Sequence, residues 1–239
     1  MKKIVLLPLV TLLALAACGP SPTPTTAPTE EPAVEQPTDT PPPSPTPAEA
    51  PTPTEAPAAT EPPAPAPTMQ VLFVIAPQNF RDEEYTEPHA VLEAAGYTVV
   101  VASSSLEMAT GMLGVEVQPD LLLLDVQVGD YDAVVLIGGM GAATYWDNPE
   151  AHRIAQEAVA AGKVVAAICI APVILARAGV LEGKQTTVFH GNCGELEAGG
   201  AICDSDVPVQ RDGLIITGNG PAAATAFGEA ILDALMGQP

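Results

Sequence analysis

Basic side chains are scarce in this 239-residue chain, where eight Lys and Arg stand against 29 Asp and Glu. Residues 69–239 hold 22 acids and six bases, a net charge near −16 that argues against nucleic acid or an anionic membrane surface as a partner. No glycine-rich stretch has phosphate-cradling spacing, and no cysteine and histidine pair has the spacing of a metal finger, so neither a metal nor another cofactor is expected. Residues 19–68 lack a core-forming composition altogether: they contain 18 of the 27 prolines, and Thr, Ala and Glu make up nearly all the rest. Such a segment cannot bury enough apolar surface to fold. It reads as a disordered, extended stalk, reaching at most roughly 150 Å at about 3.1 Å per residue.

What precedes the stalk has the form of an export signal. Lys2 and Lys3 lead into an apolar run from Ile4 to Ala16, too short to cross a bilayer comfortably, and small residues follow. Leu15-Ala16-Ala17-Cys18 resembles the bacterial lipobox, which implies cleavage before Cys18 and lipidation of that residue. Residues 1–18 are then a lipoprotein signal peptide with its lipobox cysteine. The domain would stand outside the cytoplasm, anchored to a bacterial membrane or cell surface. A cleaved secretory signal with an incidental cysteine is the plainer alternative.

Residues 69–239 suffice for one well-buried domain. Val71 to Ala76 reads as a buried strand, Pro77 to Phe80 as a loop, and a helix is predicted from Asp82 to Gly96 with Asp82, Glu83 and Glu84 at its positive end. Thr98 to Ala102 forms the next strand. Val115, Val117 and Leu121 to Leu124 supply short strands outside the main sheet, and Ala133 to Ile137 is central. Asn148-Pro149-Glu150 opens a second helix. Further strands are expected at Thr187 to Phe189 and Leu214 to Thr217, before a final helix over Ala222 to Leu235. This alternation predicts an α/β fold, a mostly parallel sheet with helices on both faces.

Lys163 to Gly183 carries the chemistry. Val164 to Ile168 is apolar without alternation, as in a strand covered on both faces, and from Pro172 the apolar residues Ile174, Leu175, Ala178 and Val180 recur at helical spacing. Cys169 lies at that joint, at the carboxyl edge of the sheet where open α/β folds bind ligands. Facing a helix N-terminus, its thiol is expected to ionise easily. Glu84 and the Gly138-Gly139 turn follow other strands and are expected at the same edge. A carboxyl can share a proton with the thiol, and glycine lets backbone amides approach a developing oxyanion. Cys193 and Cys203 leave three readings open: a structural disulfide, two free thiols, or a resolving role of Cys193 toward oxidised Cys169.

The segments VLFVIAPQNFRDEEY, YDAVVLIGGMGA, VVAAICIAPVILARAGVLEGKQTT and VQRDGLIITGNGPAAATAFGEAILDAL, in this order, resemble the ThiJ/PfpI family. That family includes the Parkinson-associated protein deglycase and the PfpI proteases, within the class I glutamine amidotransferase-like proteins. The resemblance spans nearly all of 69–239 and implies a flavodoxin-like sandwich. It implies that Cys169 is a nucleophile on a strained elbow and that Glu84 hydrogen-bonds its sulfur. The Gly139 and Ile170 amides would form the oxyanion hole, and Glu83 would be solvated. Family members with peptidase claims carry histidine after the cysteine, and here Ile170 takes its place. His190 is the candidate replacement, although Val188 aligns closer to that position; His89 and His152 read as satisfied or solvated.

The leading expectation is therefore an enzyme of the glyoxalase or deglycase type, acting on small reactive carbonyls through a hemithioacetal. A cysteine peptidase or amidase and a non-catalytic redox-sensing or ligand-binding module are the alternatives. A small carbonyl or a peptide is the expected partner, and the resemblance implies homo-oligomers.

Overall fold

The apolar runs read as strands line up as the middle of a seven-stranded sheet in a computed structural model that describes residues 69–237. The expected signal peptide, Cys18 and the stalk lie outside the described residues. The strands of this sheet are β1 (Gln70–Val74), β2 (Thr98–Ser103), β3 (Leu121–Leu122), β4 (Ala133–Leu136), β5 (Val164–Ile168), β6 (Val209–Asp212) and β7 (Ile215–Gly218). Their order is β6-β7-β5-β4-β1-β2-β3, and only the β6–β7 pair is antiparallel. The helices are α1 (Asp82–Ala94), α2 (Pro149–Ala160), α3 (Pro172–Arg177), α4 (Cys193–Ala198) and α5 (Ala224–Met236).

Strand side chains alternate between two cores because successive residues point to opposite sheet faces. Phe73, Val135 and Ala166 pack with Leu92 of α1 and with Phe227 and Ile231 of α5. Leu72, Val134 and Val165 pack on the other face with Ile154 of α2 and Ile174 of α3. Both faces of the central strands are thus covered. This is the flavodoxin-like layering expected from the order of elements, and it explains why these strands show no polar alternation.

Four local expectations need correction. Leu121–Leu122 joins the main sheet as its edge, paired with Ala102 and Ser103, whereas Glu116–Val117 does lie in a separate small sheet. Asp120 makes the edge possible: its carboxylate accepts from the Val101 amide at 2.8 Å, and its own amide donates to the Val101 carbonyl at 2.8 Å. Gln78–Phe80 is a short strand in that small sheet rather than a loop. Thr187 to Phe189 is not a strand; the pairing stops at Gln185–Thr186. Buried Thr187 donates its amide to the Thr217 hydroxyl at 2.8 Å and its own hydroxyl to the Val207 carbonyl at 2.7 Å, so side chains replace the ladder. Finally, α3 ends at Arg177 after six residues, short of Val180.

Cys193 and Cys203 are joined in a disulfide, with a sequence separation of 10 residues. The bridge ties α4 to the Ile202–Cys203 strand, which pairs with Gln185–Thr186. Closing so short a loop should contribute roughly 2–3 kcal/mol by restricting the unfolded chain. Guanidinium unfolding of Cys203→Ser, or of the wild type after reduction, is expected to show a loss of that size; an unchanged midpoint would mean the bridge adds nothing to stability.

Candidate active site

Strands β5, β4 and β1 are neighbours, and their carboxyl ends deliver the three chemical groups to one place. Cys169 directly follows β5 with φ of 63°, a left-handed conformation that costs a non-glycine residue energy and needs outside support. That support comes from both sides: its amide donates to the Gly218 carbonyl at 2.9 Å, and its carbonyl accepts from the Phe189 amide at 2.9 Å. Gly138 and Gly139 follow β4, and Glu84 stands in the first turn of α1.

The glycines are required by contact. A Cβ on Gly138 would lie 2.5 Å from both the Cys169 Cβ and Glu84 Oε2, so the turn, the thiol and the carboxyl share one point of closest approach. Gly139 has φ of 88°, and a Cβ there would collide with the backbone at Asn79 and Arg81. The amides of Gly139 and Ile170 both interact with the Cys169 sulfur, the arrangement an oxyanion hole needs. Trp146 holds the second of them in place by donating its indole N–H to the Ile170 carbonyl at 3.2 Å, while the Arg177 guanidinium lies 5.1 Å above its ring.

Electrostatics differ from the sequence expectation. Glu84 is wholly buried, and neither carboxyl oxygen makes a hydrogen bond of full geometry. Burial pushes its pKa up to about 8, opposed by the interaction with the Cys169 thiol, the charge of Arg81 and the Gly138 amide. The Cys169 thiol is pushed up to about 12, first by burial and then by the charge of Glu84, against the Gly139 and Ile170 amides. An easily ionised thiol is therefore not what the fold makes. Six residues of α3 carry little dipole, and desolvation outweighs it. Between those two limits the pair holds one proton and one negative charge, shared by sulfur and carboxyl.

A cavity of about 160 Å³ opens onto this pair. Its polar lining comprises Arg81, Glu84, Cys169 and Gly139; Met112, Met140, Ile170, Phe189 and Pro221 form the apolar walls. Glu83 is turned away and grips Arg81 through two bonds of 2.7 and 2.9 Å, an ion pair rather than a merely solvated carboxylate. His190 does not line the cavity: its side chain is 66% exposed and approaches Asp206 at 4.0 Å. His89 pairs with Glu93 at 3.1 Å, and His152 bonds the Trp146 carbonyl at 2.7 Å. Sequence reasoning missed Arg81, Met112, Met140, Phe189 and Pro221, since no motif distinguishes a wall residue from any other loop residue. It also read Asp82 only as a helix-end acid. Buried Asp82 accepts from the Leu113 and Val115 amides at 2.8 Å each and pins the turn that carries Met112.

The raised carboxyl has a stability consequence. Its folded pKa of about 8 exceeds its ordinary 4.5, so the native state keeps a proton the unfolded chain releases, and stability falls as pH rises between those values. Urea unfolding at pH 5 and pH 8.5 should show the wild type losing on the order of 3 kcal/mol more than Glu84→Gln. Equal losses would mean Glu84 does not titrate in this window.

The DJ-1/PfpI family profile matches residues 69–234. The chain is 36% identical over 160 residues to a deglycase of Pyrococcus horikoshii, across 66% of this chain and 95% of that one. It is 26% identical over 166 residues to a glutathione-independent glyoxalase of Caenorhabditis elegans, across 70% and 88% respectively. The crystal structure of a ThiJ/PfpI domain protein from Brachyspira murdochii shares the fold with a TM-score of 0.71 and 34% identity, over 73% of this chain and 100% of that one. Because the profile runs through the sheet and through every loop that supplies Glu84, Gly138, Gly139 and Cys169, this chain belongs to the DJ-1/PfpI family.

Proposed function

We propose that the domain converts small 2-oxoaldehydes to 2-hydroxy acids, the chemistry of a cofactor-independent glyoxalase. The observation that carries this reading is the packing of Cys169 against the buried Glu84 carboxyl at Gly138, with the Gly139 and Ile170 amides at the sulfur and a cavity opening onto the pair. The thiolate attacks the aldehyde carbon, and the Glu84 carboxylic acid protonates the resulting oxygen, held by the two amides, to give a hemithioacetal. The Glu84 carboxylate then removes the hydrogen from that carbon. After the hydroxyl proton passes between the two adjacent oxygens, Glu84 returns its proton to the former ketone carbon. The aldehyde carbon has been oxidised to a thioester and the ketone carbon reduced to an alcohol, so no outside oxidant is needed. Water, deprotonated by Glu84, cleaves the thioester and restores the pair.

Names of relatives support the reading, since the Pyrococcus horikoshii protein is called a deglycase and the Caenorhabditis elegans protein a glyoxalase. Peptide hydrolysis is less well served: Ile170 can protonate no leaving amine, and no histidine lines the cavity among the described residues. Redox sensing calls for an accessible, acidic thiol, whereas Cys169 is 8% exposed and its pKa is raised. The same proposal places the domain outside the cytoplasm, tethered through Cys18. The dilysine start, the apolar run and Leu15-Ala16-Ala17-Cys18 support this, with the Pro-rich 19–68 as spacer.

Lactate release from methylglyoxal should be abolished in Cys169→Ala and lowered about 10²-fold or more in Glu84→Gln. Wild-type kcat/KM should rise with pH and level off above about 8, where the pair has lost its first proton. Equal turnover by wild type and Cys169→Ala would reject the reading. For the tether, cells fed labelled palmitate should label the full-length chain and leave Cys18→Ala unlabelled; a Cys18→Ala protein still carrying label would place the lipid elsewhere.

A further inference from the structure

Resting on that glyoxalase reading, we propose that the site selects 2-oxoaldehydes carrying an apolar substituent, in preference to methylglyoxal and to anionic analogues. The reacting carbonyl is fixed between Cys169 and the two amides, so whatever hangs from the ketone carbon must lie along the remaining walls. Those walls are Met112, Met140, Ile170, Phe189 and Pro221. Met140 is 73% exposed and Phe189 43% exposed, large apolar side chains left in water at the cavity mouth. An alkyl or aryl group passing between them removes apolar surface from water on both sides.

Arg81, the one cation lining the cavity among the described residues, offers little to an anion. Arg81 is held by both oxygens of Glu83, and the domain's net charge of about −16 repels anionic ligands as they approach. A substrate carboxylate or phosphate would reach only the N–H donors that Glu83 leaves, on a guanidinium whose charge that carboxylate already offsets. Sugar hydroxyls would meet thioethers and a phenyl ring rather than hydrogen-bond partners.

The backbone that carries Met112 and Phe189 is fixed before any substrate arrives. The Met112 amide donates to the Phe80 carbonyl at 2.8 Å, and Asp82 secures the rest of that turn. Phe189 is fixed by its amide bond to the Cys169 carbonyl, and its own carbonyl accepts from the Asn192 amide at 3.2 Å. A Cβ placed on Gly220 would lie 3.3 Å from the Phe189 ring, so the ring rests directly against the backbone beside Pro221. A preformed apolar wall loses little conformational freedom on binding, which turns its contact area into affinity.

Steady-state kinetics of the full chain with methylglyoxal, butylglyoxal and a carboxylate-ended analogue of butylglyoxal's length tests the inference. Each methylene withdrawn fully from water is worth roughly fourfold. At an open mouth, three of them should raise kcat/KM about tenfold for butylglyoxal over methylglyoxal. The carboxylate analogue should fall below methylglyoxal. Phe189→Ser, and separately Met140→Ser, should bring the butyl-to-methyl ratio within about twofold of one. Turnover of methylglyoxal with a ratio near one in the wild type would overturn the selectivity and leave the glyoxalase reading standing. Absence of Cys169-dependent turnover with every aldehyde would overturn both.

Discussion

At Gly138 the ends of β4 and β5 and the first turn of α1 come so close that no side chain fits between them. The Cys169 Cβ and a Glu84 oxygen both lie where a Cβ on Gly138 would stand, and the Ile168 carbonyl is 2.6 Å from the same point. The parallel order β5-β4-β1 is what creates this contact, because only neighbouring strands running the same way deliver their carboxyl ends side by side. The left-handed backbone at Cys169, the two amides at its sulfur and the buried carboxyl all depend on it. Local strain at one residue is tolerated because hydrogen bonds from Gly218 and Phe189 fix that residue on both sides.

The same crowding sets the electrostatics. A carboxyl and a thiol packed together out of water cannot both ionise near neutrality, since each charge is desolvated and each repels the other. Above about pH 8 they share the one proton that remains. In the proposed reaction the pair serves as nucleophile, acid and base in turn, so Ile170 is compatible with chemistry on aldehydes. An aldehyde has no leaving group that must be protonated at the first step, and a peptide does.

Much of the fold was legible in the chain. Uninterrupted apolar runs such as Val164 to Ile168 mark doubly covered strands, and their alternation with helical periods implies a parallel sheet. Less legible were the stretches where side chains replace backbone pairing. Asp120 completes the ladder of an edge strand, and the Thr217 hydroxyl takes the amide of Thr187; neither leaves a periodic trace. At the site, Cys169, Glu84 and the two glycines could be found from their positions after strands. The walls could not, because Met112 and Phe189 reach the cavity from loops remote in sequence.

The sequence by itself determined the layering of the domain and the edge of the sheet at which Cys169, Glu84 and the Gly138-Gly139 turn meet. Those follow from local periodicity and from residue types at strand ends, which are properties of short segments. Tertiary structure alone decided the charge state of the Cys169 and Glu84 pair, the exposed setting of His190 beside Asp206, and the apolar character of the cavity. Desolvation, ion pairing and wall composition depend on which distant segments close around a group, and no segment carries that information on its own.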